Sequence, residues 1–282
     1  MHESKNMKVK IGLVDFLNSQ PIVDKLRTVA ESKGWELVDG MPVEINRLIE
    51  EDGLDLAFVS SIIYANSPSH YKILPGLSIS TSGPAGAIYL FSHLPLNKLN
   101  KEKIFLTSKS ETSIKLGKLI LEEFHEVYPE YSTGDVQAIQ DVDFKAILAT
   151  GDDALQFLEE GRYLYQYDLG DMWKRETGLP FVVSICVVRQ QFCQENPEVT
   201  AEVHRELLRC RDEGCEELEE ICARSAGRIP LSKSKCKEYL QGIEYDLNVE
   251  KRKSLQMFFN YLCKRRDKDK EEKTLNMFVS LD

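Results

Sequence analysis

The chain has no apolar run approaching the roughly 18 residues that a membrane-crossing helix requires, although 42% of its 282 residues are hydrophobic. That absence predicts a protein with no membrane partner. Basic charge is also short: 36 Lys and Arg stand against 46 Asp and Glu, for a net charge of -10. Without a basic stripe to neutralise phosphates, nucleic acid is not an expected partner. The run Lys264-Arg265-Arg266 is diluted at once by Asp267, Asp269, Glu271 and Glu272 and reads as a solvated helix end. Residues 1–10 carry mixed charge and lack the roughly 7–15-residue apolar core of an export signal. All seven cysteines lie from Cys186 onward, and they include Cys210, Cys215 and Cys222, whose spacing fits neither a secreted disulfide framework nor a Cys-x-x-Cys metal knuckle. Reduced, buried thiols and a cytoplasmic location are expected.

Metal and nucleophile signatures are missing as well. His2, His70, His93, His125 and His204 form no pair with ligand spacing, and there is no Gly-x-Ser-x-Gly or phosphate-loop motif. Asp15, Glu44 and Asp55 lack paired-carboxylate spacing for glycosidase chemistry. No metal and no cofactor are predicted.

The chain does carry strand and helix patterns in alternation. Residues 9–14 form a short apolar strand, the turn Asn18-Ser19-Gln20-Pro21 starts a helix, and residues 35–38 and 54–59 supply further strands around a helix beginning at Pro42. This order predicts a parallel, doubly wound α/β sheet. Ala87 to Phe91 is an apolar strand, and a crossing to a second, smaller α/β lobe is expected near His93. Gly178-Leu179-Pro180 marks the return, and the apolar run Phe181 to Val188 reads as a fully buried strand. The predicted division is therefore residues 1–93 with 181–282 as lobe I, including helices at 232–242 and 249–263, and residues 94–180 as lobe II.

Four polar loops fall at strand ends: Asn18-Ser19-Gln20, Ser60-Ser61, Ser82-Gly83, and Ser110-Glu111-Thr112-Ser113. Ligands of open α/β sheets gather at that edge. Ser110, Thr112 and Ser113 begin a helix whose first-turn N–H groups suit a carboxylate or phosphate, although serine and threonine serve equally well as plain caps. Asp152 stands at another strand-to-helix turn, where it can act as a general base, orient a substrate hydroxyl, or only cap the helix.

Taken together, these segments resemble the MqnA/MqnD family of menaquinone biosynthesis by the futalosine route, from about Lys10 to about Leu262. The residues that carry the resemblance are Ile11 to Pro21 with the Leu17-Asn18-Ser19-Gln20-Pro21 turn, Asp55 to Tyr64, Leu74 to Pro84, Ser110 to Ser113, Gly151 to Leu155, and Asp168 to Phe181. The opening turn favours the MqnA branch. What the resemblance implies is a fold of the periplasmic-binding-protein type, with two α/β lobes around a ligand cleft, and a small-molecule dicarboxylate as substrate. It implies a hydro-lyase that converts chorismate to 3-[(1-carboxyvinyl)oxy]benzoate and water, with Asn18 as the residue that matters most and the substrate's side-chain carboxylate as the base. Substrate-binding residues are then Ser19, Ser60, Ser61, Ser82, Gly83, Ala87, Ser110, Thr112, Ser113 and Asp152, with donors to the two carboxylates sought among the hydroxyls and amides around Ser60, Ser61, Ser82, Gly83, Ser110, Thr112 and Ser113.

Two positions depart from the pattern. The family tends to carry serine at the position of Ala87 and tryptophan near Cys186. Loss of one donor to developing charge costs roughly 3 kcal/mol, so either another donor replaces the hydroxyl at Ala87 or the ligand differs. A divergent relative acting on another cyclohexadiene or enolpyruvyl carboxylate, and a noncatalytic small-molecule binding protein, are the alternatives.

Overall fold

The computed structural model describes residues 8–139, 143–225, 231–266 and 274–279. The acidic residues expected to dilute the basic run, Asp267, Asp269, Glu271 and Glu272, lie outside the described residues. In chain order the first elements are β1 (Lys10–Val14), α1 (Gln20–Lys33), β2 (Glu36–Gly40), α2 (Pro42–Glu50), β3 (Leu56–Ser60), α3 (Ser61–Asn66), β4 (Tyr71–Thr81) and β5 (Ile88–Ser92). There follow β6 (Lys103–Thr107), α4 (Glu111–Leu119) with a π-helical turn at Ile120–Phe124, β7 (Glu130–Gly134), β8 (Ala146–Thr150), α5 (Asp152–Glu160), β9 (Tyr165–Asp168) and α6 (Leu169–Thr177). The last elements are β10 (Phe181–Arg189), α7 (Gln190–Glu195), α8 (Pro197–Glu216), α9 (Leu218–Arg224), α10 (Lys233–Gln241) and α11 (Val249–Arg266).

Two five-stranded sheets result, ordered β2-β1-β3-β10-β4 and β7-β6-β8-β5-β9. The first is not wholly parallel as expected. Strands β1, β2 and β3 are parallel, whereas β10 runs antiparallel to both β3 and β4. The reason is connectivity: β10 re-enters the first sheet from the second, so no right-handed crossover imposes a parallel direction. A second correction concerns β5, which pairs with β8 and β9 and so belongs to the second sheet. The first crossing therefore precedes Ile88 instead of lying near His93. Five apolar residues satisfy either sheet, and pattern alone cannot choose between them.

An apolar core runs without a break between the lobes, from Ile45, Val59 and Ile185 to Leu106, Leu116 and Leu148. Helix α11 reinforces the junction: Trp173 of α6, fully buried, packs edge-on against Phe258 and donates from Nε1 to Ser254 Oγ at 2.9 Å. Residues 274–279 lie along β4, with Ile73 N donating to Asn276 O and Phe278 N to Ile73 O, both at 2.8 Å, which covers that sheet edge.

Two local devices position the loops that matter below. A Cβ on Gly214 of α8 would stand 1.6 Å from the carbonyl oxygen of Pro21, so only glycine lets α8 seat against the start of α1. Asp168 caps α6 by accepting from Gly170 N at 2.9 Å and Asp171 N at 3.0 Å, and accepts across the fold from Ala85 N at 2.9 Å and Gly86 N at 2.8 Å. One carboxylate thus fastens the 84–87 loop to the second sheet.

Replacing Asp168 by Ala leaves several buried N–H groups without an acceptor and is expected to cost about 3 kcal/mol of stability, read as a lower denaturant midpoint; an unchanged midpoint would show the clamp to be idle. His204 gives a pH-dependent expectation. Burial lowers its pKa, with the carbonyl of Pro75 at 2.7 Å from Nε2 opposing and Arg211 assisting. The folded state then holds fewer protons than the unfolded chain just below the ordinary value of about 6.5, so stability falls as pH drops through that window. Urea midpoints at about pH 5.5 and 7.5 should differ less in His204→Gln than in the parent.

Candidate active site

The C-terminal ends of β1, β3, β6 and β8 open toward one another, and each strand is followed by the start of a helix. Between them lies a cleft that encloses about 40 Å³, or about 670 Å³ when the open space at its mouth is included. Asn18, Ser60, Ala87 and Ser110 line it, together with Phe16, Ser80, Thr81, Thr150, Gly151, Val183, Ser184 and Tyr239. The turn that bears Asn18 and the helix start at Ser110 therefore share one cavity.

No Asp, Glu, Lys, Arg or His is found among the described lining residues. Polarity comes instead from hydroxyls, the Asn18 amide and helix N-termini. Helices α2, α4 and α5 all begin at the wall, at Pro42, Ser110 and Gly151. First-turn N–H groups lack intrahelical acceptors and sit at the positive end of the helix dipole, which favours an anion, while each first turn also carries its own acidic side chain: Glu44, Glu111, and Asp152 with Asp153. The nearby cation Lys109 is neutralised by Asp153, with Nζ 2.7 Å from Oδ2.

The other predicted residues are placed differently. Ser19 Oγ donates to Val14 O at 2.6 Å and Phe16 O at 2.7 Å, folding inward to shape the turn that presents Asn18. Ser61 and Thr112 are fully buried and meet each other, Oγ to Oγ1 at 3.4 Å, while Ile62 N donates to Thr112 Oγ1 at 3.2 Å. They pin α3 to α4 across the lobes. Ser113 is equally buried, with Ser110 Oγ at 2.9 Å and Thr150 Oγ1 at 3.4 Å from its hydroxyl, so it stands behind the wall. Ser82 is exposed, and it and Gly83 lie outside the lining; Thr81 Oγ1 braces that loop by donating toward Pro84 O at 2.9 Å. Asp152 is half-buried in the first turn of α5 and is likewise not part of the lining. Cys186 sits in the apolar cluster with Phe58, Leu13 and Val203, where burial pushes its thiol pKa up and keeps it protonated.

Several lining residues escape a reading of the sequence. Val183 and Ser184 are neighbours in one strand and would ordinarily face opposite sides, but the β10–β4 register shifts between Val182 and Ser184, and both line the cavity. The hydroxyl of Ser184 inside an otherwise apolar run was the available signal. Tyr239 arrives on α10, far along the chain, to line the same cavity as Asn18; burial raises its pKa, with Asp152 assisting and the Asn18 side chain opposing, so it stays neutral. Nothing local in its helix marks it.

Comparison with known proteins is consistent with this geometry. The chain resembles the protein AF1704 of Archaeoglobus fulgidus at a TM-score of 0.68 and 18% identity, covering 94% of this chain and 99% of that one. It also resembles the aliphatic sulphonate binding protein SsuA of Escherichia coli at a TM-score of 0.64 and 12% identity, covering 92% of each. These likenesses establish a two-lobed α/β fold of the periplasmic-binding-protein kind. By sequence, the chain is 28% identical over 265 residues to the chorismate dehydratase of Thermus thermophilus, covering 88% of this chain and 93% of that protein. The family profile described as menaquinone biosynthesis matches residues 9–264. With nearly the whole described fold inside that match, the chain belongs to the menaquinone biosynthesis family.

Proposed function

We propose that this protein is a chorismate dehydratase, converting chorismate to 3-[(1-carboxyvinyl)oxy]benzoate and water in the cytoplasm, on the futalosine route to menaquinone. The observation that carries the reading is the convergence of Asn18 and the α4 start at Ser110 on one uncharged cavity, in a chain of this family.

The chemistry asks little of the protein beyond placement. The ring carbon that bears the enolpyruvyl ether loses its proton, the C–H electron pair becomes a ring double bond, and the adjacent C–O bond breaks to release the hydroxyl as water. Formation of the aromatic ring drives the step. A side-chain carboxylate of the substrate serves as base, which accords with the described lining residues including no histidine, lysine or carboxylate. The substrate carboxylates lie against the helix N-termini and hydroxyls, and the Asn18 amide polarises the departing oxygen. Preorganised dipoles of this kind act on charge that develops only during the reaction.

A second reading is favoured by one residue. Ala87 lines the cavity, so the methyl group stands where a family hydroxyl is usual, and a related cyclohexadiene carboxylate is the substrate if chorismate is not.

Incubation of the purified protein with chorismate should yield a product lighter by one water, followed by mass and by aromatic absorbance. Turnover of a related carboxylate but not chorismate would favour the second reading, and ligand-induced thermal stabilisation without product would mark a binding protein. Asn18→Ala is expected to keep the thermal midpoint within a few degrees and to lower kcat by about 100-fold or more; near-normal turnover would remove Asn18 from catalysis.

A further inference from the structure

The hydroxyls around the cavity are not equivalent. A serine or threonine has one proton to donate, and most of the lining has already committed it: Ser80 Oγ donates to Glu244 O and Thr81 Oγ1 to Pro84 O, both at 2.9 Å. Ser110 and Thr150 both meet Ser113 Oγ, at 2.9 Å and 3.4 Å. Ser60 and Ser184 differ. Both line the cavity, and neither side-chain hydroxyl has a hydrogen-bond partner among the described residues.

The two stand opposite each other. Strand β10 runs antiparallel to β3 with Ser184 paired to Ser60, so both side chains leave the same face of the sheet, with Cβ atoms about 5 Å apart. Ser60 is buried, and its N–H donates to Asn46 Oδ1 at 3.3 Å, which ties this end of β3 to α2. Ser184 is half-buried and carries the one hydroxyl of the apolar run Phe181 to Val188; the register shift between Val182 and Ser184 brings it to the wall beside Val183. A hydroxyl on such a strand costs stability unless it finds a partner. With none from the protein, a ligand is the partner that this pair fits. Two neutral donors at that spacing can each take one oxygen of a carboxylate, which accepts at both.

We propose that Ser184 is a substrate-binding residue, forming with Ser60 a two-hydroxyl clamp for the carboxylate on the substrate ring, the one that takes no part in proton transfer. The kinetic part of the test rests on the chorismate reading above; the binding part does not. Ser184→Ala removes only the hydroxyl and should keep the thermal midpoint within a few degrees. With chorismate it should raise KM by about 10-fold, the usual worth of one hydrogen bond to a charged group, and leave kcat within about 2-fold, because a clamp on a spectator carboxylate holds the ground state and the transition state alike. Independently, benzoate, which offers a ring carboxylate and no reacting group, should bind to Ser184→Ala about 10-fold more weakly than to the parent in a titration followed by ¹⁵N amide shifts. An unchanged KM, a fall in kcat at constant KM, or equal benzoate affinity in parent and variant would overturn the proposal. If the parent fails to turn over chorismate, the functional reading fails and the titration alone decides: weaker benzoate binding in the variant upholds the clamp, and equal or undetectable binding in both overturns it.

Discussion

A ligand with two carboxylates must lose much of its hydration to enter a cavity, and in this protein no formal positive charge among the described lining residues replaces it. Burying an uncompensated carboxylate is prohibitive, so hydrogen-bond donors and dipoles must stand in for water. The fold supplies them by geometry. In both sheets parallel strands, β1 and β3 in one and β6 and β8 in the other, end toward the cleft, and the starts of α2, α4 and α5 stand at its wall. Hydroxyls of Ser60, Ser110, Thr150 and Ser184 and the amide of Asn18 lie among them. The net charge of -10 gives such a ligand no attraction at long range, so recognition is a property of the cavity and not of the surface.

That arrangement works only if loops from both lobes keep their places. The contact of Ser61 with Thr112 joins two of the helix starts directly, and Asp168 fixes the loop that carries Ala85 and Ala87. At the opposite wall, Gly151 with φ +61 lies against the Phe16 ring, where a Cβ would come within 3.3 Å. Buried serines and threonines thus divide into two groups. Some present donors to the cavity, and others hold the elements from which those donors project.

Much of this is legible in the residues, because turns and caps are local chemistry. Pro21 and Pro42 begin helices as their fixed φ predicts, and Ser110 caps α4 by accepting from Ser113 N; these place Asn18 and Ser110 at strand ends before any coordinates are known. Side-chain direction is not local. Ser19 and Asn18 are adjacent in one turn, yet one folds into the backbone and the other faces the cavity. The polar strand β7, Glu130–Gly134, has no apolar alternation to announce it and exists because β6 offers it a parallel edge. Tyr239 and the bulge at Val183–Ser184 depend on contacts between segments distant in sequence, which neither propensity nor spacing encodes.

The central claim is that dipoles and neutral donors, not ion pairs, hold the carboxylates. A crystal structure of the protein with 3-[(1-carboxyvinyl)oxy]benzoate bound tests it most directly. The account predicts carboxylate oxygens within hydrogen-bonding distance of first-turn N–H groups and cavity hydroxyls, with Lys109 still paired to Asp153. A carboxylate bound to Lys109 released from that pair, or a ligand seated outside the cavity lined by Asn18 and Ser110, would contradict it.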